Sequence, residues 1–428
     1  INIFHSMAIS TIHRIILYTL VFLMLFGPFA FMPVKMACLA VLIISSGVNF
    51  ILFPSSIKIS KSVLIWFILF ICHGLFFLLL GLLYNAKLDY VLQFGTIAVI
   101  WPFVFLILFF FKVEINLLPK LYNVLIIATF LISIYTIYNV IAVLGLVPNV
   151  DIYSRETPLE FDESGNVEMS LPAATTLMFT LPSIVSLYLL TAKKKLLPVI
   201  IFGLISVVLI SRRALLLNIL ITPILCLGIS FFFLNRDYIN NLAKRIVTLY
   251  IVLFVFAIII FVVLAQLEIF DVQLFFSMIM EGFDFKGNNS VDPGAQIRAE
   301  QFNFLIQSWS EKPALGWGYG SVSQYVIRSD KTPFIYELSY VALLFQTGIF
   351  GTIFYLILLG WIYYKLYKLK FNSSLSINKY TISMLVGLTT FLFANATNPY
   401  LYAFDHMWVV FYPLFFINTL ALGRNESL

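Results

Sequence analysis

Twelve apolar runs, nearly all long enough to span a bilayer, divide this chain and leave little polar sequence between them. They occupy 15–34, 36–53, 63–84, 90–111, 122–147, 172–191, 196–211, 214–234, 246–266, 338–364, 380–398 and 406–422. A membrane helix needs about 20 mostly apolar residues. In hydrocarbon every backbone N–H and C=O must find its partner inside the protein, so runs of this kind form helices. Composition agrees. Of 428 residues 61% are hydrophobic and 11% charged, where a soluble domain carries about 25% charged residues. The expected fold is an all-α integral membrane protein, a single polytopic domain over 1–428 with about 12 transmembrane helices. The first run is followed by Lys35 and a second full-length run rather than by a small-residue cleavage site, so it reads as a span and not as a signal peptide.

Charge orients the bundle. With both termini on the inner side, the inner segments hold sixteen of the 26 Lys and Arg residues, among them Lys58, Lys61, Lys193, Lys194, Lys195, Lys244, Arg245, Lys365, Lys368, Lys370 and Lys379. Only Glu114, Asp237 and Glu426 oppose them there. The positive-inside rule then makes this side cytoplasmic. The formal net charge of +6 thus reflects anchoring. No basic block interleaves with aromatics in a polar loop, which sets nucleic acid aside as a partner. The lipid bilayer is the partner this composition implies. Cys38, Cys72 and Cys226 all lie in apolar runs, and no disulfide is expected.

Two outer segments are long. Residues 148–171 are acidic, with Arg155 among Asp151, Glu156, Glu160, Asp162, Glu163 and Glu168. They read as a flexible lid or as a solvated link. Residues 267–337 form the second and larger loop, in the C-terminal half. Long loops in compact proteins are functional or disordered. Inside it, Asp292-Pro293 is a plausible N-cap with Pro at the first helical position. A helix is expected over 294–311, with Ile297, Phe304, Leu305 and Trp309 close to one face. Pro313 and the run Gly316-Trp317-Gly318-Tyr319-Gly320 end it.

The polar residues of these outer segments are the candidates for chemistry. Arg298 lies one turn into the loop helix, where the helix N-terminus already favours an anion. A guanidinium grips phosphate oxygens bidentately. The plainer reading is a surface arginine paired with Glu300 or Glu311. Arg212 and Arg213 interrupt an apolar stretch at the outer side, against the charge bias. Charges at membrane level are costly and commonly functional, although a tight turn among headgroups also accommodates arginine. Arg155 reads as salt-bridged within its acidic loop. Glu337 opens the tenth run, where water gives way to lipid; it suits a general base or a helix-end carboxylate facing the dipole. The three alternating glycines lack the strand context of a dinucleotide site and the Lys-Ser/Thr of a P-loop. Their physical use is close backbone approach, to a ligand or to the bundle. His73 reads as a hydrogen-bonded packing residue, and Asp405-His406 is an outer carboxylate–imidazole pair. No metal-ligand spacing and no Gly-x-Ser-x-Gly elbow is present.

Arg298, Trp309, Pro313, Gly316-x-Gly318-x-Gly320, Glu337, Tyr340, Leu343-Leu344 and Gly348-Ile349-x-Gly351 follow one another in order, and Ser211-Arg212-Arg213-Ala214 precedes them. This series, with the topology, resembles the O-antigen polymerase and O-antigen ligase superfamily of bacterial inner-membrane proteins. The motif match covers about 298–351; the topology covers the whole chain. The ligases carry a histidine eleven residues before the first glycine of the Gly-x-x-Gly pair. Here Glu337 stands eleven before Gly348, as it often does in polymerases.

The resemblance implies a lipid-to-lipid glycosyltransferase of the bacterial inner membrane. The growing glycan on undecaprenyl pyrophosphate is the donor, and a repeat unit on a second undecaprenyl pyrophosphate is the acceptor. Glu337 would be the base. Arg212, Arg213, Arg298 and Arg155 would hold the pyrophosphate. Trp309, Gly316, Gly318, Gly320 and Tyr340 would shape the loop and substrate groove. No cofactor is implied, and with no metal cluster in the sequence a metal-independent mechanism is expected. A chain-length regulator protein is a partner that such a polymerase can take. The rivals are the ligase, with lipid A–core as acceptor, and a flippase for the same lipid-linked oligosaccharide. A transporter would carry its charges near the midplane in two repeated halves; here they gather at the outer face.

Overall fold

The computed structural model describes residues 2–28, 30–52, 59–108, 117–143, 145–148, 150, 152, 159–161, 167–169, 173–210, 212–266, 293–326, 332–370, 374–402 and 404–425. The chain is a helical bundle. In order it forms α1 (Asn2–Phe26), α2 (Met32–Leu52), α3 (Lys61–Leu83), α4 (Leu88–Gly95), α5 (Trp101–Leu108) and α6 (Leu117–Val143). A short antiparallel hairpin follows, β1 (Leu159–Phe161) on β2 (Val167–Met169), with Glu160 opposite Glu168. Then come α7 (Ala174–Thr191), α8 (Leu197–Ile210), α9 (Arg213–Phe233), α10 (Arg236–Gln266), α11 (Pro293–Ser310), α12 (Ser339–Leu369), α13 (Leu375–Asn395) and α14 (Phe404–Asn425). Among the described residues seven stretches are long and apolar enough to cross a membrane: 61–83, 88–108, 117–142, 174–191, 214–233, 339–369 and 375–395. This is an α-helical, multi-pass membrane protein.

Each apolar run carries a helix, but several differ from expectation. The first stops at Phe26 instead of running to residue 34, because Gly27 and Pro28 follow and proline clashes with a continuing helix. The fourth is α4 and α5 joined through a π-helical turn over Thr96–Ile100. The seventh, α8, is only 14 residues long. The tenth, α12, is broken at Gly348, whose φ of 61° and ψ of −171° are not helical. The acidic 148–171 segment was expected to be a lid or a link; its described part includes the small hairpin.

The centre of the bundle is α7. All but two of its residues, Tyr188 and Thr191, are buried. Between helices in lipid the hydrophobic effect supplies little drive, so small and hydroxyl side chains that allow close packing dominate such contacts. Gly387 of α13 illustrates this: a Cβ there would meet Ser183 Oγ at 2.0 Å. Beside it Thr390 Oγ1 donates to the Met178 carbonyl at 3.0 Å. Ser206 of α8 reaches the Ser133 carbonyl of α6 in the same way, at 3.0 Å.

Contacts between helix ends sort them into two sets. At one end Arg245 donates to the Leu189 carbonyl, Lys370 to the Phe232 carbonyl, and Lys379 lies over the Tyr238 ring. Lys61 and Lys365 share this end through a common cavity. At the other end Thr176 bonds the Leu25 carbonyl, Tyr340 the Leu392 carbonyl and Ser339 the Asn398 carbonyl. Since α9 finishes beside Lys370, its start, Arg212, lies at this second end, as Glu337 does.

Candidate functional site

The site begins with the break in α12. A helix interrupted inside a bundle exposes carbonyls before the break and N–H groups after it, and each must be satisfied. The glycine run does this. Trp317 and Gly318 donate to the carbonyls of Phe345 and Gln346 at 3.0 and 2.7 Å. Beyond the break, Ile349 and Phe350 donate to the carbonyls of Pro313 and Ala314 at 2.9 and 3.2 Å. Tyr319 N–H reaches the Phe77 carbonyl on α3 at 2.8 Å. Such contact requires backbone against backbone. A Cβ on Gly318 would lie 2.0 Å from Gly81 N, and one on Gly348 would lie 2.3 Å from Ala314 O. Gly316, Gly318, Gly320 and Gly348 all have positive φ, which L side chains rarely adopt. Of the two uses open to these glycines, the structure shows approach to the bundle.

The loop helix α11 docks on this plug. Its buried face is Gln301, Leu305 and Ser308, spaced as one helical stripe. Ile297, expected on that face, is exposed. Leu305 packs in a cluster with Tyr336, Ala342 and Phe345, flanked by Trp309 and Trp317. Polar links pin the loop. Trp309 Nε1 donates to the Pro313 carbonyl at 3.1 Å, and Trp317 Nε1 to the Ser308 carbonyl at 2.7 Å. Ser308 and Ser323 hydroxyls lie 2.9 Å apart, and Ser323 N–H donates to the Tyr336 hydroxyl at 2.8 Å. Burial pushes the Tyr336 phenol up to about 12. The Lys312 ammonium sits over the rings of Tyr84 and Trp317, a cation–π contact. Desolvation lowers its pKa, opposed by the charge of Glu311.

On this base two distant residues meet. Arg298 Nη1 lies 3.8 Å from Glu337 Oε2, the side chains being 32% and 22% exposed. Neither Glu300 nor Glu311, the local alternatives, is the carboxylate of this pair. One turn along α11, Gln301 Oε1 accepts the Glu337 N–H at 2.9 Å. Gln301 is fully buried, and its Nε2 has no hydrogen-bond partner among the described residues. So α11 holds the Glu337 backbone with one residue and faces its carboxylate with another. A partly exposed ion pair contributes about 0–1 kcal/mol to stability. The hydrogen bonds and buried ring contacts hold the loop, and the pair is an electrostatic feature open to solvent.

The first residues of α12, two and three positions after Glu337, line a small cavity of about 60 Å³. Ser339, Tyr340 and Asn395 give it a polar side, and Phe70, Phe94, Ile97, Tyr319 and Leu343 an apolar one. Ile97 belongs to the π-helical turn, a feature that recurs at functional sites. Tyr340 donates its hydroxyl to the Leu392 carbonyl at 2.8 Å.

The structure thus brings Arg298 and Glu337 together, with Tyr340 close by in the chain and Trp309, Gly316, Gly318 and Gly320 beneath them. Arg212, half-buried, precedes α9 in an extended conformation and makes no side-chain cap bond. Arg213 begins that helix. Arg155, Asp292 and Ser211 lie outside the described residues. Among the described residues no group of three or more His, Cys, Asp and Glu is placed to hold a metal. His73 Nε2 lies 3.1 Å from the Gly351 carbonyl, at the second glycine of the Gly-x-x-Gly pair. Sequence reasoning missed Gln301 and the helix break. Gln301 follows Arg298 by one turn, and that spacing was the available signal. No protein-family model matches the chain, and no curated protein matches it.

Proposed function

We propose that this protein is a bacterial inner-membrane glycosyltransferase of the O-antigen polymerase kind, extending a surface polysaccharide on its lipid carrier. In this reading the bundle has twelve spans. The end rich in Lys and Arg is cytoplasmic with both termini, and 148–171 and 267–337 are periplasmic. The observation that carries the proposal is the Arg298–Glu337 pair, a base and a cation 3.8 Å apart, held by a docked loop at the mouth of a membrane helix.

The chemistry follows from these groups. A hydroxyl at the non-reducing end of the lipid-linked acceptor attacks the anomeric carbon of the donor glycan. The new C–O bond forms as the bond to undecaprenyl pyrophosphate breaks, and the pyrophosphate leaves with the electron pair. Glu337 takes the hydroxyl proton. Arg298 stabilises charge growing on the leaving oxygens, with Arg212, Arg213 and Arg155 as further cations for the pyrophosphate. An arriving pyrophosphate competes with Glu337 for Arg298, so substrate binding itself releases the carboxylate to act as base.

Glu337→Gln keeps size and hydrogen bonding but accepts no proton at neutral pH. Losing one general base costs a factor of roughly 10² to 10⁴. Cells bearing it should make single-repeat surface glycan only and accumulate lipid-linked repeats, with normal protein level. A normal ladder of chain lengths would return Glu337 to a helix-end residue. If deleting the gene leaves long chains on the lipid carrier but none on lipid A–core, the protein is the ligase instead.

A further inference from the structure

We infer a second anion site, at the basic end of the bundle, built to take the phosphate of an anionic lipid headgroup or of a soluble phosphate ester. It is a cavity of about 410 Å³ between the start of α3, the far part of α12 and the end of α14. Lys61 and Lys365 line it from two different helices, and among the described residues no carboxylate lines it. Ser60 and Ser62 add hydroxyls. The cavity lies at the N-terminus of α3, a 23-residue helix whose Val63 N–H is capped by the Ser60 hydroxyl at 3.4 Å.

The floor is built rather than incidental. Asn418 of α14 is fully buried, one turn before the lining residues Ala421 and Leu422. Its Oδ1 accepts the Ser60 N–H at 2.8 Å, fixing the α3 cap against α14. Asn418 itself does not line the cavity; it holds the wall that Ser60 and Leu422 present. Two lysines brought from different helices and the Ser62 hydroxyl share one chemistry, the binding of an oxyanion with several acceptor oxygens. Ile65 and Leu422 make the remaining wall apolar, which suits a lipid better than a free ion. The α3 helix separates this cavity from the Gly81–Gly318 contact at its other end by about 30 Å at 1.5 Å per residue. The inference therefore does not rest on the glycosyl-transfer reading.

The test uses the full-length protein, purified in detergent and in vesicles of phosphatidylcholine with or without phosphatidylglycerol. Native mass spectrometry counts retained lipid, and thermal unfolding is followed with inorganic phosphate against chloride at matched ionic strength. Preferential retention of phosphatidylglycerol is expected. It should fall roughly ten- to thirtyfold in the double variant Lys61→Gln/Lys365→Gln and persist in Lys61→Arg/Lys365→Arg. Stabilisation by inorganic phosphate without lipid preference, lost in the Gln pair, would keep the site and assign it to a soluble ester. If wild-type protein prefers neither phosphatidylglycerol nor phosphate, the site is refuted, and that comparison stands even if the Gln pair does not fold.

Discussion

Gly318→Ala is the sharpest probe of the loop that carries Arg298. At a φ of 82° an alanine costs about 1–2 kcal/mol in backbone strain. Its Cβ would also lie 2.0 Å from Gly81 N and 2.4 Å from Gly81 Cα. Those are backbone atoms in a packed helix and cannot rotate away, so the loop must lift. Lifting breaks the bonds from Trp317, Gly318 and Tyr319 to Phe345, Gln346 and Phe77, at about 1 kcal/mol each. The sum is about 4–5 kcal/mol, an upper bound if the loop settles in a shifted position. Gly228→Ala and Gly360→Ala are the controls: nothing lies within 4 Å of a Cβ at either. Both sit inside helices, where alanine gains up to about 1 kcal/mol over glycine. Hydrogen exchange and limited proteolysis of purified protein should show 313–320 opening in Gly318→Ala with the controls unchanged. If Gly318→Ala protects the loop as well as wild type does, the backbone-to-backbone docking is wrong.

Three further outcomes are expected. Arg298→Ala should abolish polymerisation at normal protein level, and Arg298→Lys should rescue it only in part, since a point charge does not replace a bidentate fork; full activity of Arg298→Ala would make it a surface residue. With the three native cysteines replaced by alanine, Glu311→Cys should react with a membrane-impermeant thiol reagent in intact cells and Lys194→Cys should not; the reverse pattern would invert the topology. Tyr336 is neutral and buried, with its pKa raised from 10 to about 12, so the folded loop holds a proton that the unfolded chain loses first. Its contribution is complete below about pH 10 and is lost as pH rises towards 12. Tyr336→Phe should remove that alkaline weakening and leave the Ser323 N–H without its acceptor, a cost of about 1–3 kcal/mol. Hydrogen exchange of 321–326 at several pH values separates the two effects.

What the sequence discloses and what it hides divide along the range of the interactions. Apolar run length depends on local composition, and all twelve runs carry helices. Phe26 shows the limit: hydropathy continues to residue 34, but Gly27 and Pro28 stop the backbone regardless. The break at Gly348 is harder to foresee. A Gly-x-x-Gly pair inside an apolar run reads as a site of helix packing, and opening a helix in lipid is prohibitive unless other groups take up its hydrogen bonds. Those groups are the 313–318 backbone, more than a turn of structure away and invisible to any periodicity. The same holds for Arg298. Glu300 is two positions along α11, and side chains at that spacing do not face each other. Glu311 follows the last residue of the helix. The plainer sequence reading paired Arg298 with one of these neighbours, and recognising Glu337 as its partner needed the tertiary placement of α11 against the start of α12. That placement rests on Gln301, Leu305 and Ser308, a stripe one turn away from the arginine itself. The glycines, read as serving close backbone approach to a ligand or to the bundle, allow the loop to reach the broken helix, and through it they position the ion pair on which the functional reading depends.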